Sequence, residues 1–312
     1  MTTKVLVTGG AGYIGSILTE HLLQEGYEVT ILDNLLFGQQ THFHFCANPK
    51  YNFVFGDVRD EAILNKLVPQ ADVIIPLAAL VGAPLCDQDP WMAKAVNFDA
   101  IKQINKIRSK DQYMIYPMTN SGYGTQTGEV FCTEETPLEP ISLYGSTKVQ
   151  GEEEVLSKEN SVSFRLATVF GISPRLRIDL LVNYFTYMAL KEGTLVLFEK
   201  DFKRNFVHVR DVADCMLYCI KNFSSMAGKP YNVGLDEANM SKEELALRVK
   251  EYIPKLYIHH AEVGTDPDKR NYVVSNQRLR EAGFEASRSI DDGIQELIKG
   301  YQMLRRSGLK NV

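Results

Sequence analysis

Tyr144-Gly-Ser-Thr-Lys148 sets a phenol and an ammonium group four residues apart, so on a helix the two share one face. A cation beside a phenol stabilises the phenolate and draws its pKa down from about 10 toward neutrality. Such a phenolate is a base able to take the proton of an alcohol while hydride leaves the same carbon. The spacing alone is cheap, because Tyr187-Met-Ala-Leu-Lys191 repeats it. Position separates the two copies. Tyr144 opens a helix inside a regular strand–helix alternation, whereas Tyr187 lies beyond it and reads as packing with a solvated lysine. Thr119 stands at the end of an apolar strand, in Met118-Thr119-Asn120-Ser121-Gly122-Tyr123-Gly124. Its hydroxyl could orient the alcohol for Tyr144; a capped glycine-rich loop is an equal reading.

A second constellation is a glycine turn, Thr8-Gly9-Gly10-Ala11-Gly12-Tyr13-Ile14-Gly15, lying between a strand and a helix. Glycines let the chain turn tightly and approach a dinucleotide pyrophosphate, and the helix N-terminus adds free N–H groups and a positive dipole end. Asp33 closes the next strand, where a carboxylate accepts hydrogen bonds from both adenosine ribose hydroxyls and repels a 2′-phosphate. NAD rather than NADP is therefore expected. Asp57 follows the third strand, where it could meet the adenine amino group or simply serve as a turn aspartate.

These groups need a scaffold that brings strand ends together. Mostly apolar strands at 5–8, 28–32, 52–55, 73–77, 113–118 and 162–166 alternate with helices at 13–25, 60–67, 92–107 and 144–156. Continuously apolar strands between helices predict a doubly wound parallel α/β sheet, covered on both faces. After about residue 171 the pattern changes, with helices near 179–191, 211–221, 241–252, 276–282 and 290–305, a short strand at 195–198, and Tyr231–Val233 as a strand able to rejoin the sheet. The expected division is a Rossmann domain over 1–171 and 205–235, and a smaller mixed α/β substrate-binding lobe over 172–204 and 236–312.

Composition limits the function. With 34 basic and 39 acidic residues in 312 and a net charge of −5, nothing recommends a nucleic-acid or anionic-membrane surface. No apolar run reaches the ~18 residues of a membrane span. The five cysteines are scattered without CxxC, so neither a metal site nor a disulfide framework is expected, and Cys215 and Cys219 read as core packing. Thiols of this kind and the absence of a signal peptide lead us to expect a cytoplasmic protein.

Together, Gly9-x-x-Gly12-x-x-Gly15, Asp33, Asp57-Val58, Leu77-Ala78-Ala79, Thr119 with Tyr123-Gly124, Tyr144-x-x-x-Lys148 and the stretch from Arg204 to Val212 resemble the extended short-chain dehydrogenase/reductase family over essentially the whole chain. The resemblance implies NAD-dependent redox chemistry on a nucleotide-diphosphate sugar. It implies Thr119, Tyr144 and Lys148 as a catalytic triad. Gly9, Gly12, Tyr13, Ile14, Gly15, Asp33, Asn34, Asp57, Val58, Leu77, Ala78 and Ala79 become cofactor contacts beside Tyr144 and Lys148. Val81, Thr119, Asn120 and Ser121 fall on the substrate side. So do the cations Arg175, Arg177, Arg204 and Arg270, with Arg204 and Arg270 as pyrophosphate ligands; one at a time, each is more often a surface cation.

Two departures narrow the chemistry. Family members that dehydrate across C4–C6 carry an Asp-Glu pair after the catalytic threonine, where Asn120 and Ser121 stand here. Neither titrates near neutrality. Typical UDP-galactose 4-epimerases carry asparagine where Thr168 stands. Within the family, Leu80–Cys86, Thr119–Gly124, Phe170–Arg177 and Asp266–Arg270 resemble bacterial GDP-D-glycero-α-D-manno-heptose 4-dehydrogenases, in which 2-oxoglutarate reoxidises bound NADH. The expected activity is thus C4 oxidation of a GDP-manno-heptose type sugar, with 4-epimerisation of a UDP-glucose type sugar as the alternative. Family likeness also implies a homodimer through the helices at 92–107 and 144–157. His208, between two valines, reads as a satisfied structural histidine, and Asp211 as the cap of the helix after it.

Overall fold

In the computed structural model, which describes residues 2–38, 40–125, 131–261 and 271–304, the apolar runs become strands whose side chains alternate between two cores. Val5 and Val7 of β1 (Lys4–Thr8) point into one hydrophobic cluster and Leu6 into the other. The period-two geometry of a strand requires this when both faces are covered.

The first half continues as α1 (Tyr13–Gln24), β2 (Glu28–Asp33), β3 (Tyr51–Phe55), α2 (Glu61–Leu67), β4 (Val73–Pro76), α3 (Ala83–Gln88), α4 (Pro90–Lys94), α5 (Ala100–Ile107), β5 (Tyr113–Thr119), β6 (Phe131–Cys132), α6 (Leu143–Leu156) and β7 (Ser161–Leu166). The second half holds β8 (Thr168–Phe170), α7 (Leu181–Lys191), β9 (Thr194–Leu197), β10 (Lys203–Arg204), β11 (Phe206–His208), α8 (Val209–Lys221), α9 (Phe223–Met226), β12 (Lys229–Val233), β13 (Met240–Ser241), α10 (Lys242–Tyr252), β14 (Tyr257–His260), β15 (Val273–Val274), α11 (Gln277–Glu281) and α12 (Ile290–Gln302).

Seven parallel strands form the main sheet in the order β12-β7-β5-β4-β1-β2-β3. The expected return of Tyr231–Val233 is present: β12 pairs with β7, Tyr231 opposite Phe164. Helices α1 and α8 pack on one face, with Ile17, Leu18, Val212 and Met216 in a core that runs on into α7, α10 and α12. Helices α2, α5 and α6 cover the other face through Leu64, Ile104 and Val155. Strand order reverses between β1 and β4. At such a switch point, helices leave on opposite faces and open a crevice at the strands' carboxyl ends.

Two expectations are corrected. The helix expected over 92–107 starts at Pro90 and is broken by a π-helical turn over Ala95–Asp99. The turn carries buried Asn97, whose Oδ1 accepts from the Leu80 N–H at 2.8 Å while its Nδ2 donates to the Leu80 carbonyl at 3.0 Å. A buried amide that needs both partners outside the helix explains the break. Asp211 is not a cap. His208 is the N-cap of α8, its Nδ1 accepting from the Arg210 N–H at 3.2 Å. Asp211 lies within the first turn, 2% exposed, and pairs with Arg288. His208 is satisfied as expected, its Nε2 lying 2.6 Å from Glu296.

Candidate active site

Gly9 begins the crevice. It lies at φ 69°, and a Cβ there would come within 2.5 Å of the Ala78 nitrogen. Only glycine permits both that backbone conformation and that approach. The loop after β4 is thereby drawn against the glycine turn, with the Leu77 N–H donating to the Thr8 carbonyl at 2.8 Å. Asp33 Oδ2 accepts from the Ala11 N–H at 3.0 Å and Oδ1 from the Leu35 N–H at 2.8 Å, so the carboxylate is fixed at the edge of the turn. Burial raises its pKa, against those two hydrogen bonds and the charge of Arg175. Asn34 donates to Asp57 at 3.2 Å. Asp57 is gripped by Arg59, Nε to Oδ1 and Nη2 to Oδ2 both at 2.8 Å, which holds its carboxyl down at about 2. Val58 is buried in the core beside it. The expected cofactor contacts, Gly9 to Gly15, Asp33, Asn34, Asp57, Val58 and Leu77 to Ala79, therefore gather along the ends of β1, β2, β3 and β4.

These residues suit a dinucleotide. Gly9, Gly12 and Gly15 leave those positions before and in the first turn of α1 without side chains, the Asp33 carboxylate is held at the edge of the turn, and a buried polar atom, Arg175 Nε, has no hydrogen-bond partner. An anionic diphosphate at a helix N-terminus satisfies N–H groups that α1 itself leaves open.

The catalytic expectations meet on the other side of the switch point. Ser142 caps α6, its Oγ accepting from the Gly145 N–H at 3.1 Å, so Tyr144 falls in the helix's first turn and Lys148 one turn on. A Cβ on Gly145 would lie 3.2 Å from the Ser121 carbonyl oxygen, which means this first turn packs directly on the loop carrying Thr119 to Ser121. Thr119 ends β5, as expected. Its Oγ1 lies 2.9 Å from Ser121 Oγ and accepts from the Ser121 N–H at 3.1 Å. It is thus both the cap of a short turn and a hydroxyl beside Tyr144's helix.

Lys148 is 3% exposed, and its Nζ sits 4.1 Å above the Tyr116 ring. Burial pulls its ammonium down to about 7, partly opposed by the charge of Glu152. Tyr116 is held by α6 itself: its hydroxyl donates to the Lys148 carbonyl at 3.2 Å, and a methyl group on Gly151 would collide with it. Glu152 is spoken for by Arg165, which it meets at 2.6 Å, and by Ser163 Oγ at 2.6 Å. Arg165 in turn reaches Tyr123 Oη at 3.1 Å.

Reading the sequence missed Tyr116, Gly145, Gly151 and the Glu152–Arg165–Tyr123 network. Alternation along β5 places Tyr116 on the face that α6 covers, and the two glycines of α6, Gly145 and Gly151, were the signal that something approaches the helix closely.

On the substrate side, Val81 is exposed at the rim, whereas Asn120 is 1% exposed with neither amide atom hydrogen-bonded. The segment after β8 is tied to the start of α1. Tyr13 Oη donates to the Gly171 carbonyl at 2.7 Å and Ser173 Oγ to the Tyr13 carbonyl at 2.7 Å. Along it, Arg177 pairs with Asp179 and lies near enough to Tyr13 and Tyr144 to feel their charge. Arg175 instead stacks its guanidinium 4.0 Å from the Phe37 ring. Arg204 is buried, donating to the Lys203 carbonyl at 2.9 Å with its guanidinium 5.7 Å from the Tyr272 ring. Arg270 lies outside the described residues. The rival pair on α7 packs away, Tyr187 edge-on to Tyr301 and Lys191 donating to the Leu304 carbonyl.

Residues 5–234 match the model of the NAD dependent epimerase/dehydratase family. The chain belongs to this family. UDP-arabinose 4-epimerase 1 of Arabidopsis thaliana is 25% identical over 90% of this chain and 77% of its own. UDP-glucose 4-epimerase of Lactobacillus helveticus is 25% identical over 70% and 72%. The same fold is seen in the NAD complex of Thermus thermophilus UDP-glucose 4-epimerase (24% identity, TM-score 0.82, 96% of this chain and 99% of that one). It is seen again in Bacillus cereus UDP-glucuronic acid 4-epimerase with UDP-glucuronic acid and NAD (22%, 0.85, 97% and 100%). The family is an NAD-dependent one acting on nucleotide sugars, and the doubly wound parallel sheet expected from the sequence is its fold.

Proposed function

We propose that this protein inverts C4 of a UDP-linked sugar by transient oxidation at that carbon. The reading rests on one observation: α6 carries Tyr144 and Lys148 against the Thr119–Ser121 loop at the carboxyl edge of the sheet, a loop in which the two residues directly after Thr119, Asn120 and Ser121, do not titrate near neutrality. The GDP-manno-heptose 4-dehydrogenase expectation has no counterpart among the relatives named above, whose UDP-sugar epimerase activities favour the alternative.

Gly9, Gly12 and Gly15, Asp33 and the Ala78 loop would hold NAD, which when bound accepts hydride from C4 and returns it. Tyr144 takes the C4 hydroxyl proton and gives it back to the ketone oxygen. Thr119 orients that hydroxyl. Lys148, pulled by burial to a pKa of about 7, is charged below that pH, and its ammonium would then lower the cost of ionising a phenol one turn away on the same face of α6. Asn120 and Ser121 supply neither the acid nor the base that elimination across C5 and C6 demands.

The test is turnover in deuterium oxide with UDP-glucose, UDP-galactose, UDP-arabinose and GDP-mannose, followed by NMR. The expected product is the C4 epimer of a UDP sugar, with protium retained at C4 and no deuterium at C5. Deuterium at C5, or a ketosugar that accumulates only with a GDP-linked substrate and 2-oxoglutarate, would overturn the reading. Tyr144→Phe should cut turnover by at least ~10²-fold.

A further inference from the structure

Arg175 is placed by the fold on the cofactor's side of the crevice. It follows Ser173, whose hydroxyl is bonded to the carbonyl of Tyr13, the first residue of α1. Gly171, two residues earlier still, is bonded to the Tyr13 hydroxyl. The segment is therefore stitched to the glycine turn, and Arg175 emerges beside it. It is 6% exposed, stacks 4.0 Å from the Phe37 ring, and is the one cation among the described residues whose charge acts on Asp33. Phe37 belongs to the loop that leaves β2 immediately after Asp33, a loop turned by Leu35 in the left-handed region at φ 52°.

A guanidinium in such a position is costly. Burial draws it down to about 10, Arg177 repels it, and Asp179 and Asp33 attract it only through space. Among the described residues it forms no ion pair, and its Nε has no hydrogen-bond partner. Buried cations are retained where an anion completes them. The glycine turn from Thr8 to Ser16 contains no lysine or arginine, so a dinucleotide bound there would otherwise meet only N–H dipoles.

We infer that Arg175 is the counter-ion of the dinucleotide diphosphate and, stacked on Phe37, forms a clasp that keeps the cofactor on the enzyme between the two hydride transfers. The clasp joins the segment after β8 to the loop after β2, the two walls of the adenosine end. Arg175 is thus removed from the substrate side, where the family likeness had put it. An epimerase needs such retention, because the hydride taken from one sugar must return to the same sugar. The inference rests on NAD binding and not on which sugar is turned over.

The experiment compares wild type, Arg175→Met and Phe37→Leu as purified full-length proteins. NAD per chain is measured after acid release, NAD loss is timed on dilution into an NAD scavenger, and UDP affinity is titrated on NAD-replete protein. Arg175→Met is expected to lose NAD at least about tenfold faster, the scale of one charge-assisted hydrogen bond, with UDP affinity changed less than about twofold. Phe37→Leu keeps the charge and loses the stack, so a smaller acceleration of about two- to fivefold is expected, on the scale of a partly exposed cation–π contact. Unchanged NAD loss with UDP binding weakened tenfold would return Arg175 to the substrate; unchanged values of both would make it structural. If Arg175→Met does not fold, Phe37→Leu and Arg175→Lys carry the test, and normal NAD retention in both would overturn the inference.

Discussion

Replacing Lys148 by methionine should make the cofactor-free protein more stable while abolishing its chemistry. The ammonium is 3% exposed and its pKa falls from 10.5 to about 7. At about 1.4 kcal/mol per pH unit, holding it charged below pH 7 costs the native state up to about 5 kcal/mol. Relaxation and water entry reduce this, and loss of the Tyr116 cation–π contact offsets another ~1 kcal/mol, so a net gain of about 2–3 kcal/mol is expected at pH 6. The sign follows from proton counting. Between pH 7 and 10.5 the unfolded chain holds a proton on this lysine and the native protein does not, so the wild type gains stability as pH rises through that window. The advantage of Lys148→Met should therefore be full at pH 6 and shrink steadily toward zero as pH approaches 10.5. Urea unfolding of NAD-stripped wild type and variant at pH 6, 8 and 9.5 measures it. A variant less stable than wild type at pH 6, or a difference that does not change with pH, would refute the reasoning that the lysine is held in the crevice at the expense of the fold.

Three further outcomes follow from the geometry. Gly9→Ala forces a methyl group to 2.5 Å from the Ala78 nitrogen at a left-handed backbone, so purified variant should carry little NAD and unfold several degrees lower by calorimetry. Arg165→Met leaves Glu152 buried without its cation and should cost about 3–5 kcal/mol in denaturant unfolding, whereas Arg165→Met with Glu152→Leu should recover much of that. Tyr116→Phe removes the hydroxyl bonded to the Lys148 carbonyl but keeps the ring, so turnover should fall less than about fivefold, and Tyr116→Leu should fall much further in a steady-state assay.

The sequence showed the sheet because strands buried on both faces are mostly apolar, as β1, β4 and β5 are; β7 departs from this, its Ser163 and Arg165 being buried against Glu152. It showed the glycine turn, Asp33, Thr119 and the first Tyr–Lys pair because each stands at a strand end or helix start that local residue types mark. The break at Ala95–Asp99 stayed hidden: Asn97 looks like any polar residue on a helix until its partner, the backbone of Leu80, is brought alongside. The placement of Arg175 was hidden for the same reason. Which of several arginines in the later segment lies beside the glycine turn depends on the hydrogen bonds that tie Ser173 and Gly171 to Tyr13, about 160 residues away in sequence. Asp211 was misassigned because His208, the true cap, is a residue type rarely credited with that role.

Gly151 lies one turn beyond Lys148 on α6, and the Tyr116 hydroxyl occupies the volume its side chain would need. Any larger residue would tilt that ring out from under the lysine, and the proton-transfer apparatus would drift with it. Natural variation should accordingly be forbidden at this remote position while the solvent-facing Gln150 and Glu153 beside it change freely. A mutational scan of α6 would then show intolerance one turn beyond Lys148, tracing the outline of a tyrosine rather than of a substrate.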